Sequence, residues 1–525
     1  MNLWYHSINQ YGGKSMTVYN VNLGIGWASS GVEYAQAYRS QSLNQLGIPA
    51  KFIFSDLILG NNIQDLTSNL DFKDDQIIWL YNFFTDVRIA PSTYTLNQLE
   101  RDLQLKQRQA EKKVNGKEVQ YLLNDEGLIL VVRLHDEQGQ TLDQVSYVAN
   151  GQMVMRDFYS YVKYAREYYN GQKENNHVTV REFYNEDGSV AYVQHLDGDK
   201  ETFEMADGTV YYSKNDLYRE MIRRLHFQKG DVVILDRMNE DKQLVNGQII
   251  FEEHQPAKLV VVVHADHYDK HYTNNQNVLW NNFYEYQFTH PEDVASFIVA
   301  TDAQKQLFAK QEQHFQHATP RVDTIPVGNL ARLVKPSSDR KLHSLITASR
   351  LAKEKHVDWL VKATVAARQQ VPDISLDIYG QGGEYGRLQQ LIKDNHAEDY
   401  IRLMGQQDLA DVYVKYAAYA AASTSEGFGL SLLEAVGSGL PMIGFDVPYG
   451  NQTFIDDGQN GYRIPYEEDW SDEQKVARLR DAMVKLFTEA DLAAYSQHSY
   501  EVAEPYLTDN VAQRWGKVLE ELAND

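Results

Sequence analysis

The stretch Ser423-Thr424-Ser425-Glu426-Gly427-Phe428-Gly429-Leu430-Ser431-Leu432-Leu433-Glu434-Ala435 carries a fold signal that can be read locally. It follows an apolar run at 418–422, which predicts a buried strand, and Leu430, Leu433 and Val436 recur at the spacing of one helix face. A strand, a glycine turn and a helix start together leave backbone N–H groups that can bind an anion. The stretch therefore predicts a phosphate-binding turn within an α/β domain.

Two carboxylates frame this turn. Glu426 lies in the predicted loop, and Glu434 follows about two helical turns later. A pair with this spacing can hold two hydroxyl-bearing parts of one extended ligand. The alternative is an acidic residue favoured by the helix dipole together with a solvated Glu.

Length and composition limit the functions to consider. The chain has 525 residues, enough for two or three domains with full cores. A net charge of −23 disfavours nucleic acid as a partner, and the lack of Cys excludes disulfides and thiol chemistry. Residues 1–15, an extra N-terminal segment, do not resemble a secretory signal, and the apolar run at 259–263 is too short to cross a bilayer. We expect a cytoplasmic protein.

The first α/β domain is predicted to comprise residues 16–84 and 217–335. A strand at 17–23 leads into Gly24-Ile25-Gly26, a helix runs from Val32 to Leu46, and further strands are predicted at 51–54 and 77–84. Gly24 and Gly26 form a weak dinucleotide signature, because the next glycine, Gly31, comes five residues later. They remain plausible as positions where the backbone closely approaches a ligand.

Residues 85–216 have a different pattern. Short β-prone runs alternate with Asn-Gly and Asp-Gly pairs, which favour tight hairpins. We predict an inserted antiparallel meander, with a helical stretch at about 157–170. A sheet inserted in this way more often binds a partner than a small molecule.

The α/β pattern then resumes and continues to the C-terminus. Strands are predicted at 231–235, 258–263, 297–300 and 322–327, and a second α/β domain is predicted at 336–503. Its strands are expected at 345–348, 376–379, 400–403, 418–422 and 441–445. Residues 504–525 are predicted to form a crossover helix. The fold class is therefore α/β, with two doubly wound parallel sheets facing a cleft and a β-rich insertion in the first domain.

Basic residues follow the first strand of the second domain. Arg350 and Lys355 can converge on a diphosphate, whereas Lys353 is expected to be solvated. Gly380 and Gly382 follow the next strand, and Leu403 ends the one after. These positions either form the floor for a nucleobase or serve as plain turn residues.

Histidines follow the strand at 258–263. His264 is predicted to donate a hydrogen bond to a ligand hydroxyl or leaving group. His267 fits a metal site that includes Asp266 or a buried core position, and metal binding is the less favoured alternative because Arg350 and Lys355 already supply positive charge.

Taken together, these motifs resemble the retaining, nucleotide-sugar-dependent GT-B glycosyltransferases, through Arg350, Lys355 and the Glu426–Glu434 pair. Several longer motifs resemble one branch, the A subunit of the accessory Sec glycosyltransferases. They are Asn22-Leu23-Gly24-Ile25-Gly26-Trp27-Ala28-Ser29-Ser30-Gly31-Val32-Glu33-Tyr34-Ala35, Ile78-Trp79-Leu80-Tyr81-Asn82, Val262-Val263-His264-Ala265, Ala348-Ser349-Arg350-Leu351-Ala352-Lys353-Glu354-Lys355-His356 and Gly444-Phe445-Asp446-Val447-Pro448-Tyr449-Gly450-Asn451-Gln452.

The resemblance implies roles for individual residues. Arg350 and Lys355 would neutralise the donor diphosphate, Glu426 would hold sugar hydroxyls, Glu434 the ribose, and His264 the donor sugar. The remaining donor-site residues it implies are Gly24, Gly26, Gly31, Val32, Glu33, Tyr34, Gly380, Gly382, Leu403, Gly427, Phe428, Gly429 and Leu430.

The resemblance also implies a function. The donor would be UDP-N-acetylglucosamine (UDP-GlcNAc) or UDP-glucose, and the acceptor the Ser/Thr hydroxyls of a serine-rich repeat adhesin before export. A catalytically inactive, homologous partner subunit would bind the acceptor and dock on the 85–216 insertion. We expect metal-free, retaining transfer, in the cytoplasm or peripherally at the inner face of the membrane. The alternatives are a teichoic-acid α-glycosyltransferase and a non-catalytic acceptor-binding subunit.

Overall fold

The computed structural model describes residues 16–27, 31–238, 245–336 and 338–524. The predicted extra segment 1–15 lies outside these ranges. The chain divides into two compact units, one formed by residues 1–40 and 48–259 and the other by residues 41–47 and 260–525. Each unit is built around parallel β-structure.

The first unit begins with a β–α–β arrangement, as predicted. Its first elements are β1 (Val18–Asn22), α1 (Gly31–Gln45), β2 (Ala50–Phe54), α2 (Ile63–Ser68), β3 (Ile77–Trp79), α3 (Leu80–Phe83) and α4 (Leu96–Asp102). The strand predicted at 77–84 is wrong in its second half. β3 pairs with β2 only as far as Phe54, and the chain turns into α3 where the neighbouring strand ends.

A ten-stranded antiparallel sheet follows, in which spatial order equals chain order. Its strands are β4 (Glu111–Asn115), β5 (Glu118–Leu123), β6 (Leu128–Asp136), β7 (Thr141–Ala149), β8 (Gln152–Tyr159), β9 (Lys163–Tyr169), β10 (Val178–Tyr184), β11 (Val190–Asp197), β12 (Lys200–Met205) and β13 (Val210–Tyr211). At the β7–β8 turn, Asn150 and Gly151 both have positive φ, at 51° and 75°. That is the backbone of the tight hairpin turn that Asn-Gly pairs favour. The predicted meander is confirmed.

The helix predicted at 157–170 is wrong, because this segment forms the end of β8 and all of β9. Its tyrosines favour a pleated, half-buried surface over a helix. Asp157 and Arg166 face each other across the two strands, and the Arg166 Nη2 donates to Asp157 Oδ2 at 2.8 Å. Cross-strand partners of this kind are not visible in a local pattern.

The first unit closes with α5 (Lys214–Arg224), β14 (Val232–Leu235) and α6 (Asn246–Glu253). Strands β14, β1, β2 and β3 lie side by side in that order, all parallel. The four residues of β14 are buried, which matches their unbroken apolar sequence.

The second unit contains two parallel arrangements. The first comprises β15 (Lys258–Val263), whose last four residues belong to this unit, β16 (Tyr268–Asp269), β17 (Leu279–Trp280), α7 (Glu285–Thr289), β18 (Ser296–Val299), α8 (Asp302–Gln311), a π-helical turn (Glu312–Gln316) and β19 (Val322–Thr324). Strands β15, β18 and β19 are parallel neighbours, and β16 and β17 form a small hairpin.

The second arrangement is a six-stranded, all-parallel sheet, with the order β22-β21-β20-β23-β24-β25. Its elements are β20 (Ser344–Ala348), α9 (Val357–Ala367), β21 (Ser375–Tyr379), α10 (Tyr385–Asp394), β22 (Ile401–Gly405), β23 (Ala418–Ala420), α11 (Leu430–Gly437), β24 (Met442–Phe445), α12 (Gly450–Phe454), β25 (Gly461–Ile464), α13 (Asp472–Thr488), α14 (Leu492–Ala503) and α15 (Thr508–Asn524). The five predicted strands are confirmed, and β25 was not predicted.

Two buried apolar clusters cover the faces of this sheet. One includes Leu345, Leu376 and Ile443, and the other includes Ile346 and Met442. Successive residues point to opposite faces, so a strand buried on both sides reads as a continuous apolar run. No helix in the described parts of the chain is both long and apolar enough to cross a membrane.

Candidate active site

Lys355 and Glu426 form the centre of the candidate site. They lie 71 residues apart in the chain, on the loops that follow β20 and β23, which are neighbours in the sheet. The Lys355 Nζ donates to Glu426 Oε2 at 2.6 Å, and the side chains are 18% and 21% exposed. The structure thus brings together two predicted catalytic residues and leaves both accessible to a ligand.

Arg350 lies on the same loop as Lys355. Its side chain is 73% exposed, and Nη2 donates to Glu354 Oε1 at 2.7 Å. An exposed ion pair of this kind contributes little stability, so the guanidinium can exchange Glu354 for a phosphate at little energetic cost. Convergence of Arg350 and Lys355 on one diphosphate remains a prediction.

Gly380 and Gly382 bring the loop after β21 against the loop that carries Arg350. Gly380 and Gly382 have φ of 125° and 156°, and an added Cβ would lie 1.9 Å from the Ser349 carbonyl oxygen and 2.3 Å from that of Leu351. The Leu351 N–H donates to the Gln381 carbonyl at 2.8 Å. These glycines are therefore required for packing the two loops, whatever they contribute to ligand binding. Leu403 lies half-buried in β22, the edge strand beside β21.

Replacing Gly380 by alanine will separate these two loops. We expect destabilisation of about 2–4 kcal/mol, because the new methyl group meets backbone that cannot rotate away. UDP affinity will fall by about tenfold or more, since Arg350 moves with its loop. Thermal unfolding and calorimetric titration with UDP measure the two effects.

Gly383→Ala is the matched control, because its Cβ would meet nothing within 4 Å. It should unfold and bind UDP as the wild type does. A Gly380→Ala protein with wild-type stability and affinity would contradict the packing role.

The turn between β23 and α11 is also fixed by close backbone contacts. A Cβ on Gly427 would lie 3.3 Å from the His264 carbonyl oxygen. Gly429 caps α11 with φ of 84°, a conformation that favours glycine, and Leu430 begins the helix. Phe428 is buried and packs against Phe454, so its side chain belongs to the core and only its backbone is available to a ligand.

Glu434 lies in α11, where the Tyr413 hydroxyl donates to its Oε2 at 2.9 Å. Burial raises the pKa of Glu434, and the hydrogen bond from Tyr413 partly offsets that effect. Tyr413 holds one carboxylate oxygen in place. Sequence reasoning missed Tyr413, since nothing in its local pattern marks it as a partner of Glu434.

The loop after β15 reaches the same turn. The Ser425 hydroxyl donates to Asp266 Oδ2, and the His264 backbone N–H donates to the Tyr284 hydroxyl at 3.0 Å. Burial, and secondarily the carboxylate of Glu426, raises the pKa of Asp266. Sequence reasoning considered Asp266 only as a metal ligand and did not predict this contact.

His267 is a buried core residue, which confirms one of the two alternatives for this position. It is fully buried, and its Nε2 lies 2.7 Å from Gln311 Oε1 and its Nδ1 3.3 Å from the Tyr449 hydroxyl. Burial lowers the pKa of His267 to about 4. With both ring nitrogens occupied by protein groups, it does not fit a ligand for metal.

The remaining predicted donor-site residues lie in the first unit, between β1 and the start of α1. An added Cβ on Gly24 would lie 2.7 Å from Asp56 Oδ2, whereas Gly26 and Gly31 have open space beside them. Val32 is buried in the core, Glu33 is half-buried and Tyr34 is exposed. Their predicted contact with a nucleotide stays a prediction.

One group of side chains in the described ranges has metal-like spacing. The ligand atoms of Asp65, His135 and Asp143 lie within 4.8 Å of one another. The Arg133 Nη2 lies 3.6 Å from Asp143 Oδ2 and supplies positive charge there. This group carries none of the predicted catalytic residues.

Two family models match the chain. Residues 109–207 match the GtfA extended beta-sheet domain, and residues 343–488 match the glycosyl transferases group 1. The first range covers most of the ten-stranded sheet, and the second contains Lys355 and Glu426.

Several GtfA proteins are similar to this chain along almost its whole length. The UDP-N-acetylglucosamine–peptide N-acetylglucosaminyltransferase GtfA subunit of Limosilactobacillus reuteri subsp. suis is 63% identical, over 97% of this chain and 99% of the relative. The crystal structure of the pneumococcal O-GlcNAc transferase GtfA in complex with UDP and GlcNAc is 44% identical, with a TM-score of 0.89, covering 98% and 100% of the two chains. A chain of the GtfA/B complex is 49% identical, with a TM-score of 0.91, covering 97% and 100%.

The teichoic-acid alternative has more distant relatives. The poly(glycerol-phosphate) alpha-glucosyltransferase of Bacillus subtilis is 25% identical, over 89% of this chain and 69% of that protein.

The two-sheet α/β architecture, the ten-stranded insertion and the full-length similarity lead to one assignment: the chain has the GT-B fold and belongs to the GtfA subunit family of UDP-sugar-dependent glycosyltransferases.

Proposed function

We propose that this chain transfers N-acetylglucosamine from UDP-GlcNAc to Ser or Thr hydroxyls of a serine-rich acceptor protein, with retention of the anomeric configuration. One observation carries the proposal. The Lys355–Glu426 pair lies intact and accessible at the carboxyl ends of neighbouring strands, in a chain 63% identical to a transferase named for this donor and a peptide acceptor. An intact pair of this kind supports a catalytic subunit, because a non-catalytic subunit would be expected to have lost it.

The donor would be held by cationic and N–H groups at its phosphates and by carboxylates at its hydroxyls. Arg350 and Lys355 would bind the diphosphate, and the backbone N–H groups at Gly427–Gly429 would bind phosphate and sugar oxygens. Glu426 would accept hydrogen bonds from sugar hydroxyls, Glu434 from the ribose, and His264 would contact the donor sugar. Tyr413 limits the freedom of Glu434, and Lys355 that of Glu426.

The transfer step needs charge stabilisation more than a strong base. The bond between the sugar C1 and the β-phosphate oxygen breaks, and the acceptor oxygen bonds to C1 on the same face. The proton of the acceptor hydroxyl passes to the departing phosphate oxygen. Lys355, Arg350 and the start of α11 stabilise the negative charge that grows on UDP, so no metal ion is required.

The acceptor is proposed to be bound jointly with a second subunit. A relative 49% identical to this chain has been solved as a GtfA/B complex. The ten-stranded sheet is the element we assign to that contact, since it is a separate meander that carries none of the predicted catalytic residues. The reaction would take place in the cytoplasm, or peripherally at the inner face of the membrane through the export machinery.

UDP release tests the proposal directly. UDP-GlcNAc or UDP-glucose is supplied with a Ser/Thr-rich polypeptide, with and without the partner subunit. We expect release from UDP-GlcNAc that requires both polypeptide and partner, is lost in Glu426→Ala and is retained in Glu489→Ala, whose side chain is exposed at the end of α13.

Two results would overturn the proposal. One is transfer to a polyol-phosphate polymer by this chain alone, without transfer to polypeptide. The other is an α-linked product that forms equally well with Glu426→Ala, which would remove the pair from the mechanism. Faster release from UDP-glucose than from UDP-GlcNAc would correct the sugar and leave the rest of the proposal in place.

A further inference from the structure

The loop that carries Glu426 is held along its backbone by a second loop, residues 448–450. The Glu426 N–H donates to the Pro448 carbonyl at 3.0 Å, and the Glu426 carbonyl accepts from the N–H groups of Tyr449 at 2.7 Å and Gly450 at 2.8 Å. The second loop fits closely, because a Cβ on Gly450 would lie 2.2 Å from the Phe428 carbonyl oxygen. Any shift of Tyr449 therefore moves Glu426.

The Tyr449 side chain belongs to a buried series of hydrogen-bonded polar side chains. Its ring is 2% exposed and stacks on His267 at 27° with 6.0 Å between the ring centres. The hydroxyl lies 3.3 Å from His267 Nδ1, and His267 Nε2 lies 2.7 Å from Gln311 Oε1. An amide oxygen only accepts hydrogen bonds, so Nε2 carries the proton and Nδ1 accepts from Tyr449. The low pKa of His267, about 4, keeps this arrangement neutral and fixed near pH 7.

His267 also belongs to a second loop that contacts the Glu426 turn. Residues 264–267 form one continuous segment after β15. It touches the turn at 425–427 through the Ser425–Asp266 hydrogen bond and the close approach of Gly427 to His264. The Tyr449–His267 hydrogen bond thus joins two loops that each contact the Glu426 turn.

We propose that Tyr449 and His267 are positioning residues for the transfer reaction. Their buried hydrogen bond fixes the position of Glu426 relative to the His264 loop. The inference rests on the proposed function. Neither side chain would touch the substrate, since both are buried. They act through Glu426 and the His264 loop, whose placement decides how the donor sugar is presented to the acceptor. A displacement of about 1 Å in such a contact can reduce turnover 100-fold.

Tyr449→Phe is the test variant, because it keeps the stacked ring and removes only the hydroxyl. In the complete enzyme with its partner subunit, we expect kcat to fall by about 10- to 30-fold, while KM for UDP-GlcNAc changes by less than about threefold. His267→Gln should give a similar loss. The double variant should be no worse than the poorer single variant, because both remove the same interaction.

Tyr500→Phe, in α14, is the matched control, since it removes a half-buried tyrosine hydroxyl that donates to the Val334 carbonyl at 2.8 Å. It should keep wild-type kcat, with a shift in Tm similar to that of Tyr449→Phe. Wild-type kcat in Tyr449→Phe would overturn the inference, and so would an equal loss in Tyr500→Phe, or additive losses in the double variant. Failure of the wild-type complex to transfer GlcNAc would instead reject the proposed function.

Discussion

Replacing Lys355 by methionine will lower kcat/KM for UDP-GlcNAc by about 100- to 1000-fold, which corresponds to about 3–4 kcal/mol of transition-state stabilisation. Methionine keeps most of the side-chain length and removes the charge. In the proposed mechanism, that charge is needed most when the C1–oxygen bond breaks and negative charge collects on UDP. Glu426, which now accepts from Lys355 at 2.6 Å, would also lose its fixed position.

Lys353, two residues before Lys355 in the same loop, provides a matched control. It is exposed and lies in the same short helical turn, so Lys353→Met removes an equal charge at nearly the same place. Its kcat/KM should stay within about twofold of wild type. Equal losses in both variants would indicate a general electrostatic effect of the loop, and a Lys355→Met enzyme within threefold of wild type would remove Lys355 from catalysis.

Calorimetry with UDP separates the two contributions of Lys355. If its charge acts mainly in the transition state, UDP affinity will fall by much less than kcat/KM. A loss of UDP affinity as large as the loss in kcat/KM would show that Lys355 binds ground state and transition state equally.

The meeting of Lys355 with Glu426 could be predicted from sequence, because both follow apolar strands of one α/β domain. In a parallel sheet, the loops after neighbouring strands lie at the same edge, so residues far apart in the chain are brought together there. The pairing of β20 with β23 makes this contact possible. The same rule applies to Gly380, because β21 is the other neighbour of β20 and its following turn therefore lies beside the Arg350 loop.

Other features depend on tertiary contacts that leave no local signal. The tyrosines of segment 157–170 favour a strand, but this preference depends on context, and the cross-strand partners in β8 and β10 decide the outcome. His267 could be assigned to the core only once its burial was known. Tyr413 is one of 35 tyrosines, and nothing in the sequence separates it from the others; Tyr449 lies in a motif that carries the family resemblance, but its contact with His267 is not visible there.

Glu312 is the least expected residue of this kind. It begins the π-helical turn after α8, and a glutamate after an amphipathic helix is ordinarily assigned to the surface. In the structure it is fully buried, and its two carboxylate oxygens meet no hydrogen-bond donor within the described residues. Burial raises the pKa of Glu312 to about 8.

This pKa links the stability of the protein to pH. The folded state keeps the Glu312 proton up to about pH 8, whereas the unfolded chain releases it near pH 4.5. The stabilisation is therefore fully present below the unfolded pKa and is lost as pH rises through the folded one, at about 1.4 kcal/mol per pH unit. Over the whole interval, the loss is on the order of 5 kcal/mol.

Glu312→Gln will remove this pH dependence, because the amide has a similar shape and does not ionise. We expect the variant to gain stability over wild type progressively between about pH 5 and pH 8, and the difference to level off above pH 8. At pH 9 its Tm should exceed that of wild type by about 5 °C or more. Thermal unfolding of both proteins at pH 5, 6.5, 8 and 9 measures the difference in Tm. Groups that titrate in both proteins affect both Tm values equally and cancel in this difference.

Glu292→Gln, at an exposed position in the same unit, controls for the loss of one carboxylate and should follow wild type at every pH. A curve of Tm against pH for Glu312→Gln that runs parallel to wild type from pH 5 to 9 would mean that Glu312 ionises in the folded state with its ordinary pKa. The carboxylate would then have to find a donor that the structure does not place beside it. A difference that grows and then levels off near pH 8 would establish Glu312 as a buried, protonated acid, and would make pH 6 to 7 a better range than pH 8 to 9 for every activity measurement proposed above.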